Sequence, residues 1–168
     1  MNTHRSGFSL VELLIVIVIV GILAALSIPG LLASRRSANE GSTVSSLRLL
    51  HGAQITYASS FGVGEFAGDV GGGTVTSFNI LQGRQLIDPV LGTASKSGYN
   101  FVGGIAHSSD TVPAQFFFSS IPISADPIAG TGNHRFGIAT DGVLRSDATL
   151  TSHYANIAAV TSASAMGN

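Results

Sequence analysis

Glu12 is the residue whose chemistry most needs an account, because it is the single ionisable side chain between Phe8 and Ile28. A carboxylate within an apolar stretch costs about 2.5–3.5 kcal/mol even on the lenient membrane-insertion scale, so it calls for a positive or hydrogen-bonding partner. Nothing else in the chain forms a catalytic constellation. His51, His107, His134 and His153 are scattered without the short spacing of a metal pair. Asp126, Asp141 and Asp147 fit no calcium loop, and turn formation accounts for Asp141. The run Gly71-Gly72-Gly73 is not followed by Gly-Lys-Ser/Thr, and Lys96 is the only lysine. No Gly-x-Ser-x-Gly elbow occurs, and the absence of cysteine excludes thiolate metal sites and disulfides. The expectation is a non-enzymatic chain with no catalytic residue, no cofactor and no metal.

The element that carries Glu12 is a run of 21 residues, Phe8 to Ile28, uncharged from Leu13 onward. Its β-branched core (Ile15 to Val20) would suit a strand, but its length matches a helix of roughly 31 Å, close to the hydrocarbon thickness of a bilayer. A lipid-exposed segment must also satisfy its own backbone, which a helix does. Two ordinary readings fit so far: a secretory signal peptide with His4 and Arg5 as its charged region, or a plain signal anchor. Neither explains Glu12. The flanking charges are unhelpful too, since Arg35 and Arg36 after the run outweigh Arg5 before it.

The segment Gly7-Phe8-Ser9-Leu10-Val11-Glu12, followed by this long apolar run, resembles the leader junction of type IV prepilins. The resemblance is specific over residues 7–30. It implies cleavage between Gly7 and Phe8 by a membrane prepilin peptidase, which also methylates the new N-terminus on Phe8. It further implies that the freed α-amine of Phe8 meets Glu12 of a neighbouring subunit and so registers each incoming subunit. The spacing of four also permits a pair within one chain. Gly21 and Pro29 match the family's glycine and proline in this helix. Proline removes a hydrogen bond and kinks or interrupts the helix, and related filaments lose helical order between these positions; for an isolated subunit a kink is expected.

Beyond Pro29 a second helical pattern appears. Val44, Leu47, Leu50, Tyr57 and Phe61, with Gln54 in the gap, form one stripe, while Arg35, Arg36, Asn39, Glu40 and Arg48 mark a polar side. Gly62 and Gly64 stop it. Gly68 to Ser77 reads as a flexible loop, and Phe78 to Leu91 as one or two helical turns, with Asp88-Pro89 as a stop or a turn. Tyr99–Ala106, Ala114–Ile123, His134–Thr140 and Val143–Ser146 read as strands, the last two joined by an Asp141-Gly142 hairpin turn. Pro122 places the second strand at an edge or ends it near Ile121. Phe116, Phe117, Phe118, Tyr99 and Phe101 are expected in the core. Residues after Thr149 read as a disordered tail or a last strand. The segments Leu86–Pro89, Ser97–Phe101, Ala125–Pro127 and Asp141–Arg145 resemble, more loosely, those of a cysteine-free subgroup of pilin heads.

These readings give an α+β chain in which a long N-terminal helix packs on a C-terminal antiparallel sheet. Its parts are a leader (1–7), a membrane or filament-core helix (8–30), an amphipathic second half of that helix (31–62) and a loop-and-sheet head (63–168). With 45% hydrophobic residues, 10% charged and a net charge of −1, no bulk pull toward nucleic acid exists. The resemblance implies a major structural subunit of a type IV pilus. The alternatives are a pseudopilin of a type II secretion system and a minor or tip pilin. The implied partners are further copies in a helical filament, the prepilin peptidase and methylase, the inner-membrane assembly machinery, and a lipid bilayer before assembly. The implied location is the bacterial inner membrane, as a single-pass precursor, and then an extracellular filament.

Overall fold

The computed structural model describes residues 7–167; the expected leader therefore lies outside the described residues except for Gly7. One helix, α1 (Leu10–Ser60), runs for 51 residues, about 77 Å. Its two halves live in different surroundings. From Phe8 to Leu31 every residue is exposed, whereas Thr43, Ser46, Leu47, Leu50, Ala53 and Gln54 form a buried stripe at three- and four-residue steps. The expected stripe is thus present, with Leu47, Leu50 and Gln54 fully buried and Val44 and Tyr57 partly so. Phe61 departs from it: 45% exposed, it stacks under the Arg84 guanidinium instead. Gln54 is buried among apolar neighbours because its amide donates to Ala67 C=O (2.7 Å) and accepts from Ala67 N–H (2.8 Å). Both polar groups are thereby satisfied, which is what lets an amide sit in a core.

Two short helices follow, α2 (Thr76–Gly83) and α3 (Pro89–Gly92), then β1 (Ser95–Lys96), β2 (Tyr99–Ala106), β3 (Gln115–Pro122), β4 (Arg135–Ala139), β5 (Leu144–Asp147) and α4 (Ile157–Thr161). The strands form one antiparallel sheet in the order β1-β2-β3-β4-β5. Asp88-Pro89 opens a helix rather than stopping one: the Asp88 carboxylate accepts from Leu91 N–H at 3.0 Å, with proline at the first helical position. Pro122 ends β3, which lies in the middle of the sheet and not at its edge. Gly142, at φ +71°, makes the β4–β5 turn, helped by the Asp141 carboxylate on Val143 N–H.

The alternation of side chains along β3 divides its three phenylalanines. Phe116 and Phe118 face α1 in the main core, with Leu47, Leu50, Phe78 and Tyr99. Phe117 points to the other side, into a second cluster with Ala139, Tyr154 and Val160. Residues after Thr149 are therefore not a disordered tail: they fold back, with α4, over the outer face of the sheet, and the last of them pair with β5 at Ala165 in a short antiparallel bridge. Sequence patterning missed this because the cover is short and irregular, with Asn156 capping α4 through Ala159 N–H.

Both edges of the sheet are also covered. The glycine-rich stretch expected to be a flexible loop lies along the open part of β2. Ile105 N–H donates to Asp69 C=O, Gly71 N–H to Ile105 C=O, and Gly103 and Thr74 exchange two backbone bonds. The close approach depends on Gly104 of β2, where an added Cβ would stand 1.9 Å from Gly71 O. At the far edge, Ser146 N–H donates to Ser164 C=O and Met166 N–H to Leu144 C=O. Unpaired strand edges invite further strands, so this cover disfavours association of heads through their sheets.

The outer cover is held by an ionic cluster. Arg135 grips Asp147 with two nitrogens (2.9 and 2.7 Å), donates to Ser152 C=O and lies 3.9 Å over the Tyr154 ring, while the Tyr154 hydroxyl donates to Asp147 at 3.0 Å. Partial burial works against the Asp147 charge. Hydrogen bonds from Arg135, Thr149 N–H and Tyr154 outweigh it and hold the carboxyl at about 2. A carboxyl depressed below its unfolded value of about 3.9 contributes stability above that pH and loses it as pH falls toward 2. Hydrogen-exchange protection factors across residues 150–165, corrected for the intrinsic pH dependence of exchange, should fall between pH 4 and pH 2 in the native chain. Asp147→Asn should exchange faster at pH 7 and lose that pH step; an unchanged profile in the variant would contradict the role given to Asp147.

Candidate assembly surface

The expected cleavage junction, Gly7–Phe8, lies just before α1, and Glu12, Gly21 and Pro29 fall on its exposed half. Sixteen large apolar side chains between Phe8 and Leu31 are exposed, Phe8 by 81% and Leu26 by 75%. They point in all directions around the helix, so no single face is apolar. A helix of this kind is stable only when surrounded, by lipid or by other helices. At ~1.5–3 kcal/mol for each large apolar side chain buried, the drive to cover it is on the order of tens of kcal/mol. Among the described residues it is the one helix long and apolar enough to cross a membrane.

Glu12 sits in the first turn of α1, and its Oε2 accepts a hydrogen bond from Ser9 N–H at 3.0 Å. Ser9 occupies the N-cap and Glu12 the third helical position, the Ser-x-x-Glu spacing of a capping box. The carboxylate thus answers one orphan amide of the helix start and lies where the helix dipole favours negative charge. The chain described here retains the Gly7–Phe8 peptide bond, so residue 8 has an amide and no ammonium to offer. The Ser9 partner was legible in the spacing, but the sequence reading named only the Phe8 amine as a partner.

Gly21 and Pro29 lie inside α1, and the helix carries through both in the single chain. No atom lies within 4 Å of a Cβ built on Gly21. Ser27, the one hydroxyl in this stretch, donates to Leu23 C=O at 2.8 Å and so brings no unsatisfied group into the apolar segment. Loss of helical order between Gly21 and Pro29 concerns an assembled filament and remains a proposal.

The polar side expected at Arg35 to Arg48 is in part a seam. Arg36 donates to the carbonyls of Pro127 (2.6 Å), Ile128 (2.5 Å) and Gly130 (3.3 Å), Asn39 to Thr131 C=O (2.9 Å), and Glu40 accepts from Asn133 N–H (2.6 Å). His134 stands 3.4 Å from the Glu40 carboxylate. These residues pin the β3–β4 loop to the helix just above Pro29. Side chains that grip backbone carbonyls leave no pattern in the sequence of the gripped loop.

The remaining candidates are separate. His107 pairs with Glu65, His51 approaches Thr140 C=O, and His153 lies by Ser119. Asp126 caps its own turn through Ile128 and Ala129 N–H, while Asp141 pairs with Arg145. Among the described residues no three His, Cys, Asp or Glu side chains gather into a metal-sized group.

Residues 2–28 match the family model described as the prokaryotic N-terminal methylation motif. The chain is 65% identical over 37 residues (22% of its length, 28% of the relative's) to the type IV wide pilus major component PilA4 of Thermus thermophilus. It is 34% identical over 71 residues (42% and 32%) to the type IV major pilin protein PilA of Myxococcus xanthus. Over 54 residues (32% and 39%) it is 43% identical to the type II secretion system core protein G of Klebsiella pneumoniae. The matches thus span between 28% and 39% of these relatives' own length. No solved structure matches the chain significantly. The N-terminal motif and these relatives support a place in the type IV pilin and type II secretion pseudopilin family, and the long apolar helix on an antiparallel head is a pilin-like fold.

Proposed function

We propose that the chain is the major structural subunit of a type IV pilus, with no catalytic role. The observation that carries the reading is the apolar half-helix from Phe8 to Leu31, exposed on all sides and bearing one carboxylate at its start. Before assembly a bilayer surrounds it; in the filament, the same segments of other copies do. The chain is cut between Gly7 and Phe8 and methylated on Phe8. The Phe8 ammonium of one copy pairs with Glu12 of another, replacing the Ser9 contact seen in the single chain. The pair is formed away from water, where its attraction is strong enough to offset burial and selective enough to set register. Gly21 and Pro29 give the helix the freedom to adjust as copies pack. The 65% identity to a pilus component supports a pilus.

A second reading is a secretion pseudopilin, favoured by the 43% identity to core protein G over 54 residues. Both readings require the same processing. Gly7→Trp places a bulky side chain at the scissile bond and should leave the leader attached, seen as an unshifted precursor band and a loss of fibres. Normal cleavage and normal fibres from this variant would overturn the assigned junction. Immunogold labelling of long surface fibres with antibody to the head separates the two: decorated fibres support the pilus, and bare or absent fibres alongside a defect in protein secretion support the pseudopilin.

A further inference from the structure

The β3–β4 loop places an apolar tip beside the point where the apolar helix ends. Ile128 is 73% exposed, and with Pro127 it forms one wall of a cavity of about 450 Å³ whose other wall is Ile28, Pro29 and Leu32. The three carbonyl contacts of Arg36 hold the tip against the helix, and Asp126, the acidic residue next to it, turns its carboxylate onto the amides of Ile128 and Ala129. The tip therefore presents apolar surface with its polar groups already occupied. It lies level with the end of the segment long enough to cross a bilayer, and exposed Arg35 stands one turn beyond Leu32, at the height of lipid phosphates.

We infer that the Pro127–Ile128 tip is a second membrane contact, resting in the outer interface of the bilayer while phospholipid acyl chain fills the groove between tip and helix. The inference rests on the membrane-anchored state proposed above. The clamp at Arg36, Asn39 and Glu40 makes helix and tip one rigid fork, so contact at two points fixes the tilt of the head on the membrane. A subunit held this way presents one orientation to a growing filament, which reduces the orientational search of docking.

The chain has no tryptophan, so single reporters read cleanly. The full chain would be reconstituted in phosphatidylcholine vesicles whose acyl chains carry bromine either near the headgroup or near the bilayer centre. Emission from Ile128→Trp should fall by roughly half with the shallow bromines, the depth reached by interfacial apolar groups. Ile19→Trp should be quenched by the deep bromines. Phe61→Trp, about 48 Å further along α1 than Pro29, should be quenched by neither. Quenching at Ile19→Trp without any at Ile128→Trp would overturn the loop contact and leave the anchored helix standing. Absence of quenching at Ile19→Trp would overturn the anchored state and the loop contact with it. Equal quenching at Phe61→Trp would mean the head lies flat on the bilayer, and would overturn the fork.

Discussion

Glu12→Ala is expected to insert in the membrane and lose its leader normally, yet to yield less than about a tenth of the native amount of filament. Removing one partner of a buried ion pair costs roughly 3–5 kcal/mol, because the other charge is left unpaired away from water. Applied to each Phe8 ammonium arriving in a filament core, that is ample to stop growth, since about 1.4 kcal/mol already changes an equilibrium tenfold. The structure adds a competing explanation to be separated: Glu12 also accepts from Ser9 N–H and so caps its own helix. Glu12→Gln distinguishes the two. Its side-chain oxygen still accepts from Ser9 N–H, but its charge is gone. The ion-pair role predicts that Glu12→Gln fails to form filaments as Glu12→Ala does. Filament recovery in Glu12→Gln would assign Glu12 to capping, and normal filaments from Glu12→Ala would remove it from assembly.

Gly104→Ala should destabilise the head by about 2–4 kcal/mol, far more than one methyl group ordinarily does. The new Cβ would stand 1.9 Å from Gly71 O and 2.6 Å from Gly72 Cα, both backbone atoms that no rotamer change relieves. The segment from Asp69 to Thr74 would have to leave β2, and with it the backbone bonds at Gly103 and Ile105. The freed edge then offers unpaired N–H and C=O groups to other heads, so the variant should also aggregate through its heads. Gly83→Ala is the control, because nothing lies within 4 Å of its added Cβ. Denaturant unfolding of both variants in detergent checks this; a Gly104→Ala as stable as the control would mean the glycine-rich segment is not seated on the sheet.

What could be read from the sequence followed from apolar content, segment length and, in the second half of α1, helical periodicity. The apolar run, the stripe through Leu47 and Leu50, and the strands at Tyr99–Ala106 and Gln115–Pro122 all carry side-chain patterns that burial imposes directly. The N-terminal methylation motif was legible because its residue types and order are specific, and Ser9-x-x-Glu12 was legible in principle as a capping box. The features that escaped lack such a signal. The stretch from Asp69 to Thr74 looks mobile by composition, yet it seats against Gly104 of β2, whose missing side chain permits a very close backbone approach. The outer cover after Thr149 depends on one tyrosine and one valine meeting Phe117 across the sheet, too few residues to form a period. The Arg36 clamp acts on backbone carbonyls, so only its cationic half is visible in sequence.

The central claim, that the apolar half-helix is retained as the assembling element after a cut at Gly7–Phe8, is tested most directly by intact mass and N-terminal sequencing of material sheared from cells. The account predicts fibres made of this chain, beginning at Phe8 and carrying one added methyl group at the α-amine. A chain beginning at Met1, or beyond the apolar run, would contradict it and return the protein to an anchored or secreted monomer.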